Sequence, residues 1–282
     1  MITINNLSYA YGKNIVLDGI TMNLKPGNIY GLLGENGVGK TTLLTLLCGL
    51  KKPLTGSIDI DGYRPYGRKP GFLSNIYYLS DEPADSSLQP MQYAAAYGQF
   101  WQGFDMKKFT ELLALFEVPV GNRMDKMSTG ELKKTHISFA LACSCRYILM
   151  DEPTNGLDIP SKTQFRKALM HYTADESTLL ISTHQVKDLE NVIDPIIILD
   201  RREVLLNASV ADITAKLFFD YGSDLQTEAL YSELMPGGSI QVLPNSEGRD
   251  SKLNLEALFN AVHKNKDWFR ADFGANQNQA NL

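Results

Sequence analysis

The chain has 282 residues, with 27 Lys and Arg against 32 Asp and Glu (formal charge −5), 44% apolar residues and 21% charged. That is enough chain for one or two domains with a proper core, and the composition excludes wholesale disorder. A pI near 5.4 excludes a protein built mainly to grip phosphate backbones, since nothing forms a basic face.

The start, Met1-Ile-Thr-Ile-Asn-Asn-Leu7, has no basic region followed by an apolar run, so no secretory leader is expected. The first 25 residues and Gly56-Ser-Ile-Asp-Ile-Asp-Gly62 alternate in polarity and predict antiparallel strands beside a main sheet. Four short runs are apolar throughout, as strands covered on both faces should be: Asn28–Leu33, Tyr147–Met150, Thr178–Ser182 and Pro195–Leu199. Together with intervening helical patterns they predict an α/β domain with a mostly parallel sheet. From about 83 to 142 the pattern turns helical and aromatic (Tyr93, Tyr97, Phe100, Trp101, Phe104, Phe109, Phe116), which reads as an inserted helical subdomain. Phe165, Ala168, Leu169 and Tyr172 then set an apolar stripe at i, i+3, i+4 and i+7.

Past Arg201 the character shifts. A Gly/Pro/Ser-rich connection from Met235 to Ser239 onward precedes an amphipathic helix marked by Leu255, Leu258, Phe259 and Val262. Residues 271–282, rich in Asn, Gln and Ala, are expected to be frayed or disordered. Cys48, Cys143 and Cys145 are too few for a disulfide framework. With no further Cys or His pair at zinc-like spacing, Cys143 and Cys145 read as small reduced residues on a buried helix. His136, His171 and His263 lack a partner pattern and read as surface or packing residues, and Lys133 and Lys134 as a solvated helix face. No stretch approaches the roughly 20 apolar residues that span a bilayer.

The chemistry gathers at Gly34-Glu35-Asn36-Gly37-Val38-Gly39-Lys40-Thr41, which fits G-x-x-x-x-G-K-[ST] between a predicted strand and a helix over Lys40 to Leu47. The glycines let backbone N–H groups turn around phosphate oxygens, and the helix start adds positive partial charge. Lys40 would reach the β- and γ-phosphates, and the Thr41 hydroxyl would ligate Mg²⁺. The Tyr147 strand ends in Asp151 and Glu152, the first placed for a Mg²⁺ shell and the second to polarise an attacking water.

Through these residues the sequence resembles the ATP-binding subunit of an ABC transporter over about residues 1–205. The resemblance implies roles position by position. Tyr11 would stack on adenine, Gly34 to Thr42 would be the phosphate loop, and Met127-Ser128-Thr129-Gly130-Glu131 holds the place of the signature motif, usually Leu-Ser-Gly-Gly-Gln. Asp151 and Glu152 would be the Mg²⁺-shell aspartate and the catalytic glutamate, Asn155-Gly-Leu-Asp158 the loop that communicates across a dimer, and His184 the switch histidine. The implied fold is a P-loop NTPase ABC cassette: a mostly parallel core sheet, a flanking antiparallel β-subdomain, an inserted helical subdomain and a small C-terminal α+β extension over 206–282. Ser128 and Gly130 would close the site of an opposing protomer, so that two cassettes, identical or paralogous, dimerise around ATP and Mg²⁺.

Two positions depart from the pattern. Thr129 replaces the first signature glycine, and an acid, Asp81, stands in for the loop glutamine that senses Mg²⁺ and touches the membrane partner. Asp81 is therefore a third candidate Mg²⁺ ligand. The expected protein is a peripheral ATPase on the cytoplasmic face of a membrane, docked on transmembrane permease subunits and leaning, through residues 206–282, to ABC-2-like export. The alternative of a soluble ABC ATPase acting on ribosomes or nucleic acid fits less well: one cassette, no coiled coil and an acidic balance point to no direct nucleic-acid contact. A regulator that hydrolyses poorly is disfavoured by the intact Glu152 and His184.

Overall fold

The structure, a computed structural model, describes residues 1–174, 176–222 and 225–273. In chain order it runs β1 (Ile2–Tyr11), β2 (Asn14–Leu24), β3 (Ile29–Leu33), α1 (Lys40–Leu47), β4 (Thr55–Ile60), a short α2 (Pro70–Leu73) and β5 (Ile76–Leu79). The helical stretch follows as α3 (Pro90–Tyr97), α4 (Met106–Leu115) and α5 (Thr129–Ala142), then β6 (Tyr147–Asp151), α6 (Ile159–Tyr172), β7 (Thr178–Thr183) and β8 (Ile196–Asp200).

The main sheet has the order β5-β6-β7-β3-β8-β9, where β9 is Glu203–Ala208. All neighbours are parallel except β8 and β9, which close the edge as an antiparallel pair. The apolar runs become strands because both of their faces are covered. In β6, Ile148 and Met150 face one cluster with α5, α6 and the C-terminal helices, while Tyr147 and Leu149 face the other with α1. The second cluster also takes the inner face of the antiparallel sheet β2-β1-β4 through Ile2, Ile4, Leu17 and Ile58.

Most of the aromatic run forms the core of the helical layer, organised around Phe139, whereas Tyr97 and Phe100 stay exposed. Phe139 of α5 meets Tyr77, Tyr93, Trp101, Phe104 and Phe109 at centroid distances of 5.1–6.0 Å. From Thr135 to Ala142 every residue of α5 is buried, so this helix is wrapped on all sides and shows no amphipathic stripe.

The C-terminal part departs from expectation. After α7 (Val210–Lys216), the strands β10 (Leu217–Gly222), β11 (Tyr231–Met235) and β12 (Gly238–Pro244) form an antiparallel sheet of order β10-β12-β11. The supposed connection from Met235 is thus a hairpin. Pro236 and Gly237 (φ +91°) make its turn, and Ser239 to Leu243 are the buried central strand. Helix α8 (Leu255–Lys264) stands where its apolar spacing puts it, but α9 (Lys266–Phe273) runs through the start of the stretch expected to fray. Positions 274–282 of that stretch lie outside the described residues. Phe269 and Phe273 pack into the same cluster as Ile198, Leu205 and Leu206. Polar ties add to this: Lys266 pairs with Asp200 at the end of β8, and Arg270 clasps Glu203 at 2.5 and 3.1 Å.

All three cysteines are free and buried. Cys48 caps the C-terminus of α1 and Cys143 that of α5, while Cys145 lies in the following turn, so the pair sits past a helix end rather than on the helix. Among the described residues no helix is long and apolar enough to cross a membrane.

Candidate functional site

The C-terminal ends of β3, β6 and β7 lie side by side, in the crevice where open parallel sheets hold their ligands. β3 runs into Gly34, where a Cβ would stand 2.6 Å from the Leu199 carbonyl oxygen, so only glycine passes. The loop then turns through Gly37 (φ +79°) and Gly39 (φ +115°), both in the left-handed region that glycine tolerates. Gly39 is the N-cap of α1 and offers no side-chain cap. Within the loop the Val38 amide reaches the Glu35 carbonyl at 3.4 Å, and Asn36 lies exposed at its tip.

Lys40 folds back under this loop, 5% exposed. Its Nζ donates to the carbonyls of Gly34 (2.8 Å) and Glu35 (3.1 Å) and stands 3.3 Å from Glu152 Oε1. The buried ammonium is thus balanced by a carboxylate and two carbonyls. The Thr41 hydroxyl donates to Asp151 Oδ2 at 2.6 Å, and Ser182 Oγ donates to Asp151 Oδ1 at 2.5 Å while accepting the Glu152 amide at 3.0 Å. The parallel register of β6 and β7, which sets Asp151 beside Ser182, makes this possible. Glu152 comes off the strand with φ +44°, a conformation uncommon for a side-chain-bearing residue, and it aims the carboxylate back across the crevice. Its Oε2 lies 2.9 Å from His184 Nδ1 and 3.3 Å from the His184 amide.

Lys40, Thr41, Asp151, Glu152 and His184, from three segments of sequence, therefore form one cluster. Tyr11 flanks it, half-exposed, with its hydroxyl 3.3 Å from Thr42 Oγ1 and the Lys51 ammonium 4.8 Å above its ring. Ser128 and Gly130 begin α5 elsewhere, and among the described residues no hydrogen bond joins them to the Lys40 group. Ser128 is the N-cap. Its amide and hydroxyl donate to Glu131 Oε2, each at 2.8 Å, and its Oγ accepts the Glu131 amide at 3.3 Å, closing a capping box. These bonds hold the Glu131 carboxyl below its usual range.

The third candidate metal residue has other company. Asp81 Oδ1 accepts from Lys133 Nζ at 2.8 Å, and both its oxygens accept from Asn155 Nδ2 at 3.2 and 3.3 Å. Lys133 is therefore no solvated residue: it is 2% exposed and also donates to the carbonyls of Glu152 (3.2 Å) and Asn155 (3.0 Å). Its spacing held the signal, because Lys133, Ile137 and Leu141 follow one another at i, i+4 and i+8 on a buried face. Tyr78 was missed as well. It projects from β5, and burial together with the nearby Asp151 carboxylate raises its phenol far above the usual range. Of the histidines, His136 is buried against Tyr93, His171 is exposed, and His263 lies 3.7 Å from Asp200.

A family model described as ABC transporter matches residues 17–155. An ABC transporter ATP-binding protein of Synechocystis is 31% identical over 222 residues, covering 76% of each chain. A lantibiotic transport ATP-binding protein of Streptococcus pyogenes is 29% identical, over 69% of this chain and 84% of its own. A bacitracin transport ATP-binding protein of Bacillus licheniformis is 29% identical, over 73% and 68%. Among solved structures, an ATP-binding subunit of an ABC transporter superposes with a TM-score of 0.67 at 24% identity, over 76% of this chain and 91% of that one. A dimeric ATP-binding cassette in a post-hydrolysis state with ADP and Pi gives 0.62 at 23% identity, over 74% and 99%. The fold is the P-loop NTPase cassette. The chain belongs to the ABC transporter ATP-binding family, and it is an ATPase.

Proposed function

We propose that this chain is the ATP-hydrolysing subunit of an export system, closing against a second cassette around ATP and Mg²⁺ and driving separate transmembrane subunits. The observation that carries the reading is the convergence of Lys40, Thr41, Asp151, Glu152 and His184 at the ends of three adjacent strands. Gly34 to Thr42 would wrap the phosphates, with the uncapped start of α1 supplying amides and Lys40 exchanging its loop carbonyls for β- and γ-oxygens. Tyr11 would stack on the adenine.

Thr41 and Asp151 present hard oxygens 2.6 Å apart beside the loop, a donor set that suits Mg²⁺. Thr41 would hold the ion directly and Asp151 through water; when bound, it would neutralise phosphate charge. Glu152 would orient the attacking water, and His184, on the same carboxylate, would contact the γ-phosphate. Ser128 and Gly130 would serve the site of the opposing protomer. Residues 1–205 would form the ATPase unit and 206–282 an extension joined to it.

A mainly apolar groove of about 800 Å³, lined by Leu50, Leu73, Ile76, Tyr78, Phe100 and Trp101, suits a short helix of a membrane subunit. Such docking would hold the chain at the cytoplasmic face of a membrane. The lantibiotic and bacitracin transport relatives support export as the direction.

The test is steady-state ATP hydrolysis by the purified chain and its Glu152→Gln variant, with mass monitored in ATP and Mg²⁺. A general base contributes about 10²–10⁴-fold. The variant should lose at least 10²-fold in turnover and accumulate as an ATP-bound dimer. Retained turnover in Glu152→Gln would remove Glu152 from the role given to it here.

A further inference from the structure

We infer that Lys133 is a positioning residue for hydrolysis: its buried ammonium pins the Glu152–Asn155 turn to Asp81 and thereby fixes where the Glu152 carboxylate points. The inference rests on the role proposed for Glu152. An ammonium carries three donor hydrogens, and three acceptors from two other segments meet it: Asp81 Oδ1 at 2.8 Å, the Asn155 carbonyl at 3.0 Å and the Glu152 carbonyl at 3.2 Å. At 2% exposure Lys133 has little access to water, so its charge depends on these partners.

The Glu152 backbone lies in the left-handed region, which side-chain-bearing residues hold only where their surroundings over-determine it. Lys133 on its carbonyl and Ser182 on its amide grip that residue from both ends. Asn155 closes the loop of bonds by donating to both Asp81 oxygens while its carbonyl accepts from Lys133. Asp81, with its side chain 38% exposed, is the outer end of the chain of contacts, and Lys133 is the inner one. The carboxylate of Asp81 is thus matched to a cation supplied by α5, whereas a neutral side chain at position 81 would leave that cation without its counter-charge.

The experiment compares wild type with Lys133→Met, Lys133→Arg, Asp81→Asn and the double variant Asp81→Asn/Lys133→Met. It measures kcat and KM for ATP, binding of a fluorescent ATP analogue and thermal melting. A misplacement of about 1 Å costs on the order of 10²-fold in rate. Lys133→Met should lose about that much in kcat, with KM and analogue binding within roughly threefold, because the phosphate loop is untouched. Lys133→Arg, which keeps charge and donors, should recover part of the loss. Asp81→Asn, which leaves Lys133 on two carbonyls, should lose less than Lys133→Met and is expected to fold whether or not Lys133→Met does. The double variant should be no slower than Lys133→Met alone, since the two act through one contact. A folded Lys133→Met with unchanged kcat would overturn the inference. So would a loss of rate matched by lost analogue binding and lowered melting that Lys133→Arg shows equally, which is the pattern of a purely structural residue. Failure of the Glu152 role itself would show separately, as turnover retained by Glu152→Gln.

Discussion

Glu131 shows how one carboxylate can serve its own helix and oppose the proposed dimer. It completes the capping box of α5, and its bonds from the Ser128 amide and hydroxyl lower its pKa. A lowered carboxyl stabilises the fold above its unfolded pKa near 4.5 and loses that contribution as pH falls through the folded value. At neutral pH it is therefore an anion, in the motif that the proposed dimer would turn toward the phosphates of a partner. Glutamine would keep an acceptor for the box and remove the charge. An exposed charge a few ångströms from another is worth about 1 kcal/mol in water. Glu131→Gln should accordingly tighten ATP-driven dimerisation about fivefold at low salt, with the gain shrinking as ionic strength rises. An unchanged dimerisation midpoint in sedimentation experiments would refute this.

At the scale of elements, the burial of α5 makes it a sensor of acid. His136 sits inside the aromatic layer, its Nε2 2.9 Å from the Ala84 carbonyl and its ring edge-on to Tyr93 at 5.5 Å. Burial draws the imidazole below its ordinary value of 6.5. Below that pH the unfolded chain takes up a proton that the folded chain refuses, so stability is present above pH 6.5 and lost as the pH falls. The limiting slope is about 1.4 kcal/mol per pH unit for one group. His136→Gln should narrow the difference in melting temperature between pH 7.5 and 5.5, and an identical difference in both proteins would exclude His136 as its source. The same helix marks a limit of reading from sequence. β3, β6, β7 and β8 were legible because a strand covered on both faces must be apolar throughout, and the phosphate loop because few residue types can make it. Lys133 was legible only in part: its spacing with Ile137 and Leu141 marks a buried face, but the acceptors of two distant turns that converge on it do not show in the chain. β12 was hidden by the Pro-Gly-Gly turn in front of it and by Gln241 between Ile240 and Val242, a polar residue in a strand that is buried from Ser239 to Leu243.

For the molecule as a whole, the C-terminal helix α9 is packed onto the β8-β9 edge of the main sheet. Phe269 is fully buried among residues shared with β8 and β9, and Lys266 and Arg270 fasten α9 to Asp200 and Glu203. Asp200 directly follows Leu199, whose carbonyl crowds Gly34 at the entry to the phosphate loop. Removing a buried phenylalanine ring costs about 3–5 kcal/mol. Phe269→Ala should lower global stability by that order in urea unfolding, in a single transition shared by both ends of the chain. A separate early transition confined to residues 206–273 would instead make the extension an independent unit.

The three free thiols divide between the two faces of the main sheet: Cys48 belongs to the α1 side, and Cys143 and Cys145 to the side of the helical layer. Burial pushes the Cys48 thiol up to about 11, leaving about one thiolate in ten thousand at pH 7, and drives Cys143 higher still. With all three thiols buried, the native protein should react slowly with alkylating reagents, labelling of Cys143 and Cys145 recording an opening of the helical-layer face and labelling of Cys48 an opening toward the groove it borders. Because Cys48 also walls the apolar groove, a docked partner segment should slow its alkylation while leaving the Cys143 and Cys145 rates alone. Peptide-resolved alkylation kinetics would then read two internal motions and one external contact from a chain carrying no added probe.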